Sequence, residues 1–210
     1  MTDAMNLDTT HLVALAAALG WASGLRLYAV VFLTGAVGWL GWVALPSGLQ
    51  VLQHPLVLGA SGVMLAVEFF ADKIPGLDSL WDAVHTFIRI PAGMALAAGV
   101  FGGDSAAWTT IAALLGGTLA ATSHAAKATT RAAVNTSPEP FSNIAVSLLG
   151  DAAVPTMLWL AFSHPAWFFV ALAVALVLMV TVTALLFKFL RGLLRAWRAR
   201  FDPHVQSPSV

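Results

Sequence analysis

Apolar residues run almost without interruption over 11–44, 55–71, 84–102, 106–134, 141–163 and 166–190. Periodicity carries little information inside such runs, because a helix flanked by lipid and by protein is apolar all round. Length and chain breakers carry more. Pro46-Ser47-Gly48 and His54-Pro55 close the first connection, and Asp72-Lys73-Ile74-Pro75-Gly76 follows the second run. Gly102-Gly103-Asp104-Ser105 separates the third from the fourth, and Ser163-His164-Pro165 is the last break. The strongest is Asn135-Thr136-Ser137-Pro138-Glu139-Pro140, since neither proline can continue a helix. The pattern predicts an all-α polytopic fold of about six transmembrane helices within residues 11–190, each near the ~20 residues that span a bilayer. A short segment 1–10 precedes them and a tail 191–210 follows.

Composition agrees. The 210 residues are 59% hydrophobic and 10% charged, with a mean hydropathy of +0.85. A soluble domain is about 25% charged, so this chain cannot clothe a soluble surface and belongs in a lipid bilayer. A net charge of +0 gives no reason to expect nucleic acid as a partner. With no cysteine, disulfides, thiolate catalysis and Cys-ligated metals are excluded. The first ten residues hold Asp3 and Asp8 and no Lys or Arg, so no cleavable signal peptide is expected.

Loop charge sets the expected orientation. The connections near 45–54, 102–106 and 163–166 contain no Lys or Arg, whereas those near 72–89 and 127–140 contain Lys73, Arg89, Lys127 and Arg131. The tail region holds Lys188, Arg191, Arg195, Arg198 and Arg200, half of the ten basic residues. Basic segments stay on the cytoplasmic side. Six helices with both termini cytoplasmic satisfy that rule, and the tail reads as a helix emerging onto an anionic leaflet. A faint internal repeat is also visible. Gly20, Ser23, Gly24 and Arg26 parallel Gly117, Ser123, His124 and Lys127, and the helix after Pro55 parallels the one after Pro140. Three helices per half would place the halves in opposite orientations, the inverted-repeat plan of many transporters. Chance similarity between Ala/Gly-rich helices is the alternative.

Ionisable residues at membrane depth cost several kcal/mol each and usually mark function. Here they are concentrated. Glu68, Asp72, Lys73, Asp78, Asp82, His85 and Arg89 fall within 22 residues, and a second group holds His124, Lys127, Arg131 and Glu139. Arg26 lies deep in the first run and must either face water, as a site for a substrate anion, or pair with a carboxylate, for which Glu68 and Asp151 are candidates. Gly20, Ser23 and Gly24 before it permit either a helix break or close helix contact. Asp78, Asp82, His85 and Arg89 continue one helical face. That face could hold a divalent metal through Asp78, Asp82 and His85. It could instead relay protons, His85 being of the type that titrates near neutrality. A third reading is an amphipathic cytoplasmic helix whose charges are merely solvated. His124, Lys127 and Arg131 share one face of the fourth helix and could neutralise the acidic segment. Asn135 and Asn143 supply uncharged hydrogen-bonding groups nearby, and half-helices entering from 75–91 and 138–144 would aim their dipoles at a bound ion.

Three stretches carry a family resemblance: Ser23-Gly24-Leu25-Arg26-Leu27-Tyr28, the segment from Glu68 to Arg89, and the segment from Ala132 to Asn143. Over about residues 10–165 the chain resembles a family of bacterial membrane proteins catalogued as domain of unknown function four-one-two-six. The resemblance implies a multi-pass membrane protein and no established activity; a bacterial inner membrane is the expected location. From the residues themselves, the expectation is a transporter or channel for a small ion or polar solute. Glu68 and Asp72 would form one wall of its site, and His124 and Lys127 the other. The alternatives are a membrane scaffold or assembly factor, or a metal-dependent enzyme acting on a phosphorylated lipid. Against an enzyme, no nucleophile elbow, Ser-x-x-Lys or His-Glu-x-x-His is present. No cofactor is expected. Glycine-rich faces at Gly35, Gly38 and Gly41 and at Gly116 and Gly117 would permit a homodimer.

Overall fold

A computed structural model describes residues 7–103, 106–136 and 141–201. Among these, regular structure is entirely helical. The helices are α1 (Thr9–Trp39), α2 (Pro55–Ala71), α3 (Leu77–Val100), α4 (Ala106–Val134), α5 (Phe141–Ser163) and α6 (Pro165–Phe201), with a 3-10 helix (Ser47–Gln53) before α2. The runs at 55–71, 106–134 and 141–163 coincide with α2, α4 and α5. The third run starts late: α3 begins at Leu77, not near 84, and includes the charged segment. α6 continues through the first half of the expected tail.

α1 is the axis of the bundle. In its most apolar stretch 83% of residues are buried, against 6% in α6, which lies at the periphery. Asp8 caps its start, accepting the His11 backbone N–H at 2.9 Å, and this bond holds the exposed Asp8 carboxyl below its ordinary range. The helix can be buried on nearly all sides because Ala14, Ala16, Ala17, Ala18, Gly20, Ala22, Ser23 and Gly24 are small. A Cβ placed on Gly20 would stand 2.5 Å from the Gly116 Cα, and one on Gly116 would stand 2.6 Å from the Gly93 carbonyl oxygen. α1, α3 and α4 therefore meet backbone to backbone. Two turns further along α4, the Ser123 hydroxyl donates to the Trp21 carbonyl at 2.6 Å.

α3 has its amphipathicity reversed. Asp78, Asp82, His85 and Arg89 are buried, while Leu77, Leu80, Val84, Phe87 and Ile88 face outward, Phe87 being 84% exposed. Water would stabilise the opposite arrangement, so an outer apolar face with inner charges needs lipid around it. The reading of this helix as a cytoplasmic one with solvated charges is therefore corrected. α1, α3, α5 and α6 are each long and apolar enough to cross a membrane, and the 3-10 helix with α2, bent by 70°, makes a fifth candidate. α4 falls outside that set. At ~44 Å its 29 residues are long enough, but it buries Ser123, His124, Lys127 and Arg131 and carries several threonines besides. The composition and these helices make the chain a membrane protein.

The glycine junction predicts a sharp contrast. Gly116→Val should lower the melting temperature in detergent, as overpacking by about 1–3 kcal/mol requires. Gly59→Ala, where a Cβ meets nothing within 4 Å, should be tolerated. Equal melting temperatures for the two variants would show that the α1–α3–α4 contact is not close.

Candidate functional site

Beyond Leu25 the regular geometry of α1 fails. Arg26 has φ −145° and ψ 77°, so two helical segments join at this residue. Such a break releases carbonyls of the preceding turn from the helix ladder. Lys127 of α4 answers one of them, donating to the Leu25 carbonyl at 3.1 Å. The expected break thus occurs, and it falls at the arginine and not at the glycines before it.

The break stands at the centre of a buried ion-pair network. Arg26 pairs with Asp72 and with Asp151 at 2.8 Å, and donates to the Ser147 hydroxyl at 2.9 Å. Asp72 also meets Lys127 at 2.8 Å and Arg131 at 3.4 Å. Lys127 bridges to Asp82 at 2.9 Å. Arg89 joins Asp82 at 2.5 Å to Glu68 at 2.8 Å. Arg131 reaches Asp78 at 2.9 Å and the Asn143 side-chain Oδ1 at 2.8 Å, while the Asn135 side-chain amide donates to Asp78 at 3.1 Å. Lys73 closes the edge on Asp151 at 2.8 Å, with its ammonium over the Phe69 ring. Glu68, Asp72, Asp78, Asp82 and Asp151 face Arg26, Lys73, Arg89, Lys127 and Arg131: five anions, five cations. All but Lys73 and Asp151 are fully buried.

Helical spacing assembles it. Gly116, Ala120, Ser123, Lys127 and Arg131 form one stripe of α4, which changes along its length from close packing to charge. On α5, Asn143, Ser147 and Asp151 recur every four residues. Ser147 belongs to the site and was not foreseen, although that spacing signals it. Thr86, four residues after Asp82, was also missed; its hydroxyl lies 2.7 Å from His124 Nε2.

Several expectations change. Glu68 gives Arg26 only its carbonyl, at 3.4 Å; its carboxylate belongs to Arg89. Glu68 and Asp72 do not stand across an open cavity from His124 and Lys127, because Lys127 touches Asp72 directly. His124 lies 3.4 Å from Arg89 and away from the acidic residues of α2. His85 sits outside the network: it stacks on Trp81 at 4.0 Å, contacts the Trp81 carbonyl at 2.8 Å and the Tyr28 hydroxyl at 3.2 Å. Asp78, Asp82 and His85 therefore do not converge, and among the described residues no three His, Cys, Asp or Glu side chains are grouped to hold a metal. The half-helices expected from 75–91 and 138–144 are not seen as such: α3 runs continuously to Val100, and Glu139 lies outside the described residues.

Two cavities flank the network. One, of about 250 Å³, lies between α1, α4, α5 and α6 and reaches Arg26, Lys127, Arg131 and Ser147 past an otherwise apolar wall. The other, of about 170 Å³, lies between α3 and α4 and is lined by Ser79, Asp82, Thr86, His124 and Arg131. Arg131 stands in the walls of both.

An all-helical membrane bundle with a charged centre defines the class of protein. Comparison with known families adds the particular one: the family model DUF4126, a domain of unknown function, matches residues 13–184. The chain belongs to that family. No curated protein and no solved structure matches it.

Removing one partner from a buried pair strands the other charge at a cost of about 3–5 kcal/mol. Arg26→Leu takes one cation from both Asp72 and Asp151, leaves the buried network one positive charge short, and should lower the detergent melting temperature markedly. An unchanged melting temperature for that variant would mean that Arg26 is not held in these pairs.

Proposed function

We propose that the chain is a multi-pass transporter or channel of the bacterial inner membrane that moves a small ion or polar solute. One observation carries this reading: a spanning helix breaks at Arg26 inside a balanced network of ten charges, between two cavities that share the Arg131 wall. A network of this kind is a poor device for stability alone. Well-packed hydrophobic residues of similar volume would hold the helices as well or better, and membrane-buried charge otherwise marks ion and solute pathways. The cavity volumes limit the cargo to something small. Paired charges that exchange partners could open one cavity while closing the other, which is the requirement of alternating access.

The same reading takes α4 as a sixth crossing, with its polar stripe turned inward. Both termini then face the cytoplasm, as the basic residues of α6 require, and the two three-helix halves are inverted copies. A membrane scaffold is the second reading. It is favoured by the completeness of the pairing, since a network in which every charge has a partner can serve as a static clasp.

Two experiments divide these readings. A reporter active only in the periplasm, fused after Val210, should be silent; activity there would end the six-crossing arrangement. Purified protein in sealed vesicles should pass at least one of a panel of monovalent cations, divalent cations, protons and small anions. Glu68→Gln with Asp72→Asn should abolish that flux in protein that remains folded. Vesicles no leakier than empty ones across the panel would remove the channel reading and advance the scaffold.

A further inference from the structure

Three carboxylates of the network keep spare bonding capacity. Lys127 has three N–H groups, and all three are engaged, by Leu25, Asp72 and Asp82. Lys73 likewise meets Phe69, Ser147 and Asp151. The two terminal nitrogens of Arg26 serve Glu68, Asp72, Ser147 and Asp151. An anion would need a guanidinium fork or an ammonium, whereas the buried donors left without a partner are single N–H groups on Arg89 Nε, Arg131 Nε and Trp81 Nε1 and the Asn143 side-chain amide. On the opposite side three carboxylate oxygens are buried with no hydrogen-bond partner: Glu68 Oε2, Asp72 Oδ1 and Asp82 Oδ2. A buried polar atom left unpaired costs about 1–3 kcal/mol, and more on a charged group. Such an atom in a functional core points to something that binds it.

Of these three carboxylates, Asp82 is the one in the wall of the 170 Å³ cavity between α3 and α4. That space exceeds what a water molecule needs, and its Ser79, Thr86 and His124 groups can hold water. A metal cation at Asp82 would need several converging oxygens, and no such group exists among the described residues. A proton needs one lone pair.

We propose that the species taken up at this site is a proton, received by Asp82 Oδ2 from the cavity between α3 and α4, with His124 as the neighbouring relay. This rests on the transport reading and names its substrate. The proton forms an O–H bond on Oδ2, the carboxylate becomes a neutral carboxyl, and the same proton leaves later toward the other side. Uptake changes the network from five against five to one excess positive charge in a buried setting. The groups facing Asp82 are Arg89 on its own helix and Lys127, His124 and Arg131 on α4; behind them stand Glu68 and Asp72 of α2, which pair with Arg89 and Lys127. Once Asp82 is neutral, Arg89 keeps Glu68 and Lys127 keeps Asp72. The Asp82–Lys127 bridge between α3 and α4 is weakened, so proton uptake is coupled to movement of these two helices.

The test has two arms. In the first, infrared difference spectra of purified protein are taken on acidification. A carbonyl band of a newly protonated buried carboxyl should appear in the wild type and vanish in Asp82→Asn. If the wild type shows no such band, or if Asp82→Asn retains it, the assignment to Asp82 is overturned. In the second, proteoliposomes with a trapped pH dye are given a membrane potential. Wild-type vesicles should take up protons, Asp82→Asn should fall to the rate of empty vesicles, and Asp82→Glu should recover part of the flux. A folded Asp82→Asn that conducts protons like the wild type overturns the proposal. Wild-type vesicles that pass another ion but no protons leave the transport reading standing and overturn the proton as its substrate. Vesicles that pass nothing overturn transport, and the infrared band alone then decides whether Asp82 binds a proton.

Discussion

A carboxylate with no exposed surface, Asp72, meets cations from two other helices at the end of its own. It caps α2, its backbone N–H bonding the Glu68 carbonyl at 3.0 Å, while its side chain binds Arg26 of α1 and Lys127 and Arg131 of α4. Three positive groups around one anion would repel one another in a medium of low dielectric. Glu68 of the same helix, Asp78 and Asp82 of α3 and Asp151 of α5 supply the remaining negative charge. The positions of α2, α3, α4 and α5 around α1 all follow from keeping this sum at zero where water is scarce.

Small residues make that arrangement sterically feasible. Long cationic side chains on α4 reach the break in α1 only because the two helices already touch through Gly20, Gly24, Gly116 and Ser123. Packing and charge thus occupy successive turns of the same stripe. The break at Arg26 belongs to both: it turns the guanidinium into the network and presents the Leu25 carbonyl to Lys127.

Closure of the network bears on function. A fully neutral assembly is stable while it stays neutral, and one proton on any of its carboxylates removes that balance. Cavities lie on two sides of the network, and Arg131 lines both. Membership of a domain family of unknown function leaves the chemistry to be read from this site.

The sequence by itself determined the helical class, the membrane environment and the ten charged residues that pair at the centre. Apolar run length and Pro/Gly breaks are local properties, so α2, α4 and α5 were readable residue by residue. α3 was readable only in part. Its N-terminal turns looked solvated because the direction in which a charge points is not written in its own segment. Partner choice was likewise hidden. Arg26 could have met Glu68 as well as Asp151, and tertiary packing gave it Asp72 and Asp151 because α2 ends where Asp72, not Glu68, comes level with the break. His85 was in the right stripe, yet it turned to Trp81 and Tyr28. A helical stripe spans a wide arc, and only the neighbouring helix decides which of its members reach the centre.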